Sequence, residues 1–184
     1  MKKITCDTIV FDFNGTLIDD LDICLRLLNE MLIEKGHPGN IDKKKYLSIF
    51  TFPVIDYYAE SGFHFPEDDF PALAKEFDQN YRNAFPSLPL FPDVKDVLTF
   101  FKGKKKLVVL SATKQENLEK ELKIKGIYDF FDSVIGIKDI YGRSKIAEAK
   151  EYFSTQKQDL SNVVFVGDRS EERRVGKECR SRWS

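Results

Sequence analysis

The sequence predicts an α/β protein whose core is a Rossmann-like, doubly wound parallel sheet. Short runs such as I-V-F, K-L-V-V-L and N-V-V-F-V are apolar without alternation, which is typical of strands buried on both faces. From Leu90 onward these runs alternate with segments of helical periodicity, as in a parallel sheet covered by helices. Between His37 and Pro89 only helical patterns occur, so we expect an all-helical insertion near the start of the core.

The elements of the N-terminal half are a strand and three helices. The first strand ends at Asp12, and Asp19 or Asp20 then caps a helix that stops at Gly36. Apolar residues of that helix recur at helical spacing: Leu21, Cys24, Leu25, Leu28, Met31 and Leu32. Pro53 and Gly62 bracket a second helix, and P-E-D-D-F-P begins a third that ends before Phe85.

The C-terminal half continues as alternating helices and strands. In order, we predict a helix after Pro92, a strand ending at Ser111, a helix from Lys114 to about Lys125, a strand over 133–137, a helix from about Lys145 to Phe153, and a strand ending at Gly167 and Asp168. These elements predict a core of residues 1–17 and 89–168, with residues 18–88 as the helical insertion.

The last residues, Arg169 to Ser184, differ in character from the rest of the chain. R-S-E-E-R-R-V-G-K-E-C resembles the translation of a common short-read sequencing adapter. We therefore expect residues 169–184 to be a non-native tail, and the core to be truncated at its C-terminus after Asp168.

Composition excludes several classes of function. The chain has 29 basic and 30 acidic residues, so no basic excess favours nucleic acid or an anionic membrane as partner. Outside the tail, Cys6 and Cys24 lie far apart in apolar settings, which indicates a reducing compartment. No stretch has the length of a signal-peptide core or membrane span. We expect a cytoplasmic protein, either a monomer or a homodimer.

Three polar residues follow apolar strands directly. Asp12, Ser111 and Asp168 each lie at or just past the C-terminal end of a predicted strand, where open α/β sheets bind ligands. Gly15 allows a sharp turn beside Asp12. The arrangement predicts that these side chains converge at one edge of the sheet, with Asp12 as the candidate nucleophile.

The ordered set of motifs resembles the haloacid dehalogenase superfamily, and within it the phosphoglycolate-phosphatase-like members with a helical cap. The matching positions are D-F-N-G-T at Asp12 to Thr16, V-V-L-S-A-T around Ser111, G-R-S-K at Lys145, and V-F-V-G-D ending at Asp168. The similarity covers about Ile4 to Asp168. It implies that residues 18–88 are the cap, which closes over the site and selects the substrate.

The resemblance implies a Mg²⁺-dependent phosphatase that acts on a small phosphorylated metabolite through an aspartyl phosphate. Asp12, the main-chain carbonyl of Asn14, and Asp168 would hold the metal, because Mg²⁺ prefers oxygen ligands. Ser111 and Lys145 would bind the phosphoryl oxygens. Main-chain N–H groups after Asp12 and Ser111, at Gly15, Thr16 and Ala112, would complete the phosphate cradle.

Asn14 departs from the family pattern, in which a second aspartate protonates the leaving group and then activates water. An amide hydrogen-bonds but does not exchange a proton usefully near neutral pH. Loss of general acid–base catalysis typically reduces a rate by about 10²–10⁴-fold. The sequence leaves open a slow phosphatase, an enzyme with another acid, a phosphomutase, and a non-catalytic ligand-binding protein.

Overall fold

The computed structural model describes residues 6–141, 145–156 and 159–168. Within them the strands are β1 (Thr8–Phe11), β2 (Lys106–Lys114), β3 (Ser133–Ile137) and β4 (Val163–Val166). The α-helices are α1 (Leu21–Glu34), α2 (Lys43–Ile49), α3 (Val54–Ser61), α4 (Phe70–Ala84), α5 (Val94–Phe101), α6 (Gln115–Ile124) and α7 (Ile146–Gln156). Short 3₁₀ helices span Phe85–Ser87, Tyr128–Phe130 and Leu160–Asn162. The expectation about residues 169–184 concerns positions outside these described ranges.

The four described strands form one parallel sheet in the order β3-β2-β1-β4. β1 has a neighbour on each side: Ile9 pairs with Leu107 of β2 and with Val164 of β4. Because β4 lies on the opposite side of β1 from β2 and β3, the strand order reverses direction between β1 and β4. This arrangement confirms the predicted doubly wound α/β fold, and it puts the ligand-binding edge of such a sheet just past β1 and β4.

The apolar residues of the strands explain the core. Val10, Val108, Leu110 and Val163 are at most 2% exposed and pack against Ile146, Ala149 and Phe153 of α7. Burying side chains of this size stabilises a fold by roughly 1.5–3 kcal/mol each. Helix α7 therefore covers part of the sheet, and it begins directly after Lys145.

Strand β2 runs further than predicted. It passes Ser111 and ends at Lys114, with an irregularity in its pairing with β3 between Leu110 and Lys114. Gln115 holds the chain beside β3 at this point, because its side chain accepts from Gly136 N–H at 2.6 Å and donates to the Val134 carbonyl at 3.2 Å. Three residues after the predicted strand end thus remain in the sheet.

The described residues group into two compact units. The first is the sheet with its helices, over 6–19, 89–138, 145–156 and 159–168. The second contains α1 to α4, over 20–88, together with 139–141. Its core is aliphatic and aromatic, with these buried members: Leu28, Met31, Leu32, Tyr46, Tyr57, Tyr58, Phe63 and Leu73.

Two polar contacts connect different segments of the helical unit. The Tyr81 hydroxyl of α4 donates to Asp20, which precedes α1, at 2.8 Å. The His37 ring lies 2.7 Å from an Asp68 oxygen that also accepts the His64 main-chain N–H at 2.7 Å. That N–H is the largest cause of the lowered pKa of Asp68. Both contacts join segments that are distant in the sequence.

Candidate active site

Asp12 lies immediately after the central strand β1. Its N–H donates to the Val166 carbonyl at 2.8 Å, which extends the β1–β4 pairing by one residue. The side chain is 10% exposed. The two flanking strands therefore fix the main chain of the candidate nucleophile and leave its carboxylate at the edge of the sheet.

Lys145 forms an ion pair with Asp12. Its Nζ lies 2.7 Å from Asp12 Oδ1, which also accepts the Phe13 N–H at 2.8 Å. Lys145 precedes α7, and its carbonyl accepts the Ala149 N–H at 3.1 Å, so the first turn of that helix holds the main chain of Lys145. Only 3% of that side chain is exposed, and a buried ammonium is costly without an anionic partner. The pair brings together two residues that the sequence analysis assigned to one site.

The turn after Asp12 is closed by its own main chain. Gly15 has a φ of 69°, and its N–H donates to the Ile18 carbonyl at 3.0 Å. Thr16 N–H donates to the Phe13 carbonyl at 3.3 Å. Thr16 Oγ1 is buried and has no hydrogen-bond partner among the described residues. The two N–H groups predicted for phosphate binding thus take part in the turn itself, and their role toward phosphate stays a prediction.

Asp168 follows β4 and lies against this turn. A methyl group at Gly15 would lie 2.6 Å from Asp168 Oδ2 and 2.9 Å from its carboxyl carbon. Only glycine allows so close an approach of carboxylate and backbone, and its positive φ suits the same position. The turn after β1 and the end of β4 therefore meet at Asp168.

A second group of polar side chains links Asn14 to the end of β2. The Thr113 hydroxyl lies 3.0 Å from both Asn14 Oδ1 and Ser111 Oγ, and Ser111 Oγ lies 3.3 Å from Asn14 Oδ1. Thr113 N–H donates to Ser111 Oγ at 3.1 Å. Ser111 is 1% exposed, so this network is largely closed to solvent at its base.

Each hydroxyl has one proton, and the distances assign both. In the arrangement with the shortest contacts, Ser111 donates to Thr113 and Thr113 donates to Asn14 Oδ1. Ser111 was predicted to donate to a phosphoryl group, but in this arrangement its hydroxyl donates to Thr113. It can reach another acceptor by rotation about its side-chain bond.

The oxygen atoms near the turn fit a small hard cation. The predicted set of two carboxylates and one main-chain carbonyl belongs to the ligand class that Mg²⁺ prefers, with water completing its shell. Asp168 packs against the turn that contains Asn14 and follows Asp12. Among the described residues, no group of three or more histidine, cysteine or acidic side chains is placed to hold a metal ion.

The structure thus brings most of the predicted residues into direct contacts. Asp12 contacts Lys145, Asn14 contacts Ser111, and Gly15 lies against Asp168, while Ala112 lies in β2 between the two hydroxyl residues. Sequence reasoning missed Thr113. Its signal was available, because residues two apart lie on the same face of a strand and Thr113 follows Ser111 by two.

Comparison with known proteins agrees with this class of α/β architecture. The family model of haloacid dehalogenase-like hydrolases matches residues 9–181, and the chain belongs to that family. It is 26% identical over 161 residues to a phosphoglycolate phosphatase of Synechococcus elongatus, covering 87% of this chain and 74% of that protein.

Solved structures share the fold. A haloacid dehalogenase-like family protein from Streptococcus pneumoniae superposes with a TM-score of 0.80 at 19% identity, over 95% of this chain and 81% of that one. A subfamily IA hydrolase from Geobacter sulfurreducens gives a TM-score of 0.67 at 14% identity, over 95% and 86%.

Family membership makes this protein a hydrolase. None of the helices in the described ranges combines the length and apolar character needed to cross a lipid bilayer.

Proposed function

We propose that this protein is a Mg²⁺-dependent phosphatase that hydrolyses a small phosphorylated metabolite through a phosphorylated Asp12. The observation that carries the proposal is the buried contact of 2.7 Å between Asp12 and Lys145 at the end of the central strand. A carboxylate held there by a cation is an oriented nucleophile. The 26% identity to a phosphoglycolate phosphatase supports phosphate-ester chemistry.

Asp12, Lys145 and Ser111 have separate roles in the proposed reaction. An Asp12 carboxylate oxygen attacks phosphorus while the bond from phosphorus to the ester oxygen breaks, and the alcohol leaves after it takes a proton from water. Lys145 places positive charge beside the attacking oxygen and the phosphoryl group. Ser111, after rotation, donates to a phosphoryl oxygen in place of Thr113. Water then attacks the phosphorus of the acyl phosphate, which releases phosphate and restores the carboxylate.

Asp12, the main-chain carbonyl of Asn14, and Asp168 would hold Mg²⁺. When bound, the metal offsets the repulsion between the attacking carboxylate and the anionic phosphate. Asp168 has a second function in this proposal, because its contact with Gly15 fixes the turn that carries Asn14.

The helical segment 18–88 is proposed to act as the cap that selects the substrate and excludes water during the reaction. A cap suits a small metabolite better than a macromolecule. Neither of the described cysteines, Cys6 and Cys24, is part of a disulfide within the described ranges, which is consistent with the proposed cytoplasmic location.

The test is phosphate release from p-nitrophenyl phosphate by the full chain, with and without Mg²⁺. We expect activity that a chelator removes and that Mg²⁺ restores. Asp12→Asn retains the shape of the side chain but removes the nucleophile, so it should abolish turnover. Asp129→Asn, an exposed change in the 3₁₀ helix after α6, is the matched control and should behave as wild type. Activity that survives Asp12→Asn would refute the proposal.

One observation favours a second candidate. Asn14 presents an amide where family phosphatases have an acid, so a ligand-binding protein without turnover is the alternative. Retained binding of phosphate esters with no turnover in wild type or in Asn14→Asp would identify it. Return of phosphate to a different position on the product would instead identify a phosphomutase.

A further inference from the structure

We infer that this site takes its phosphoryl group from acyl phosphates, which are mixed anhydrides of a carboxylic acid and phosphoric acid, in preference to alkyl phosphate esters. The inference rests on the proposed function, since it uses Asp12 as the nucleophile. It goes further by naming the class of leaving group and by assigning Thr113 as a positioning residue.

The first step concerns the orientation of the Asn14 amide. Its Oδ1 faces the hydroxyls of Thr113 and Ser111, at 3.0 and 3.3 Å. Because Oδ1 and Nδ2 branch from one carbon, the –NH₂ group is directed away from this hydroxyl pair. Neither end of this amide is an acid: its oxygen accepts and its N–H groups are neutral donors, which can stabilise a leaving oxygen but cannot give it a proton.

The second step concerns the ammonium group of Lys145, the cation that contacts Asp12. Its Nζ contacts the Asp12 carboxylate at 2.7 Å. In an in-line displacement the attacking and leaving oxygens lie on opposite sides of phosphorus. A cation that touches the attacking carboxylate is therefore placed on the wrong side to protonate the leaving oxygen.

The third step is the chemistry of the leaving group. A lone pair of an Asp12 oxygen forms the new O–P bond, the bond from phosphorus to the leaving oxygen breaks, and its electron pair remains on that oxygen. From an alkyl ester the product is an alkoxide, a strong base that needs a proton as it departs. From an acyl phosphate the product is a carboxylate, which is stable at neutral pH without one. A neutral N–H donor at Asn14 is therefore sufficient for an acyl phosphate but not for an alkyl ester.

Phosphorylated Asp12 is itself an acyl phosphate. The bond formed therefore has the same chemical type as the bond broken. The free-energy change for transfer of the phosphoryl group from a small acyl phosphate to Asp12 is therefore small. Hydrolysis then needs a base to take a proton from water, and the Asn14 amide cannot serve as one. We expect phosphorylated protein to accumulate when acyl phosphate is supplied.

Thr113 sets the orientation on which these steps depend. Its hydroxyl donates to Asn14 Oδ1, and its N–H holds Ser111 Oγ. Thr113→Val retains the size and shape of the side chain but removes that donor, whereas Thr113→Ser retains the donor. In Thr113→Val the KM for acetyl phosphate should rise roughly 5-fold, which is the effect expected from the loss of one hydrogen bond, and kcat should change less. In Thr113→Ser the KM should stay near its wild-type value. An unchanged KM in the valine variant would overturn the role of Thr113.

The decisive experiment compares acetyl phosphate with 2-phosphoglycolate, using the full chain with Mg²⁺. Phosphate release gives kcat/KM for each, and intact mass spectrometry detects the phosphorylated protein. We expect wild type to favour acetyl phosphate by about 10²-fold or more. Asn14→Asp should raise kcat/KM for 2-phosphoglycolate by about 10²–10⁴-fold and change that for acetyl phosphate far less.

The outcomes separate this inference from the proposed function. Equal use of both compounds by wild type, or an equal gain for both in Asn14→Asp, overturns the inference and leaves Asp12 as nucleophile. The inference is also overturned, with Asp12 still the nucleophile, if the protein hydrolyses p-nitrophenyl phosphate through Asp12 but is neither phosphorylated by acetyl phosphate nor turns it over. A phosphorylated protein that still forms in Asp12→Asn refutes the proposed function.

Discussion

Gly15 is the residue at which the backbone limits the site most tightly. It has a positive φ, and the space where a side chain would begin is taken by the Asp168 carboxylate, 2.6 Å away. Any side chain there faces two separate penalties. One is backbone strain, and the other is displacement of Asp168.

A matched pair of variants separates these two penalties. Gly103 has a φ of 74°, but apart from its own chain neighbours no atom of the described residues lies within 4 Å of the point where a side chain's first carbon would be, so Gly103→Ala tests strain alone. We expect Gly103→Ala to lower the free energy of unfolding by about 1–2 kcal/mol. Gly15→Ala should lower it by at least as much and also weaken the Mg²⁺ dependence of turnover, because Asp168 must move. Urea unfolding and Mg²⁺ titration of activity measure the two effects.

An unchanged Mg²⁺ titration in Gly15→Ala would contradict the proposed metal role of Asp168. A loss of Mg²⁺ dependence in Gly103→Ala as well would show that general destabilisation is the cause.

The positions of Asp12 and Asp168 could be predicted because apolar runs mark where β1 and β4 end, whereas β2 continues past Ser111 to Lys114. The contacts between side chains could not be predicted. The pairing of Lys145 with Asp12 joins residues that are far apart in the sequence, and no local pattern specifies it. Thr113 was missed because β2 continues past Ser111, so the residue that bonds Asn14 lies inside the sheet and not in a loop.

At the scale of elements, one buried hydrogen bond joins α4 to the start of α1. The Tyr81 hydroxyl donates to Asp20 at 2.8 Å, and the two residues are 7% and 4% exposed. A hydrogen bond to a charged partner contributes more than one between neutral groups. This contact therefore stabilises the helical unit from within.

Tyr81→Phe removes that donor and little else. We expect a loss of about 1.5–3 kcal/mol in the free energy of unfolding, measured in urea. Tyr152→Phe is the comparison, because the Tyr152 hydroxyl donates to Ser133 Oγ at 2.9 Å, a neutral partner. That variant should lose only about 0.5–1.5 kcal/mol. Equal losses in the two variants would contradict the special contribution of Asp20.

Long periodic elements were easier to predict than short ones. The helix from Leu21 is present, with Gly36 at a positive φ just past its end. Helix α2 was not identified separately, because K-K-K-Y-L-S-I has only a short apolar pattern. Its N-cap is nevertheless local: the Asp42 side chain accepts the Lys45 N–H at 2.7 Å.

At the scale of the whole molecule, ligand binding and stability are linked. The proposed metal ligands come from the turn after β1 and the end of β4, which are neighbours in the sheet. An ion that binds only the folded chain stabilises it by about 2.7 kcal/mol at one hundred times its dissociation constant. Mg²⁺ should therefore act on unfolding as well as on turnover.

We expect the melting temperature of wild type to rise with Mg²⁺ concentration, as followed by circular dichroism. Asp168→Asn should lose most of that rise, because it removes a charged oxygen ligand. Asp129→Asn should show the wild-type rise. A full Mg²⁺ response in Asp168→Asn would place the ion elsewhere in the molecule.

The position of β1 in the sheet has a consequence for how the chain acquires its site. β1 precedes the other described strands in the chain, yet one of its partners, β4, follows all of them. Contacts between residues so far apart along a chain form late and slow the folding reaction. Asp12 therefore adjoins a strand that lacks one of its two partners until residues 163–166 have been translated, so the edge of the sheet at which the proposed nucleophile lies cannot be completed before β4 pairs.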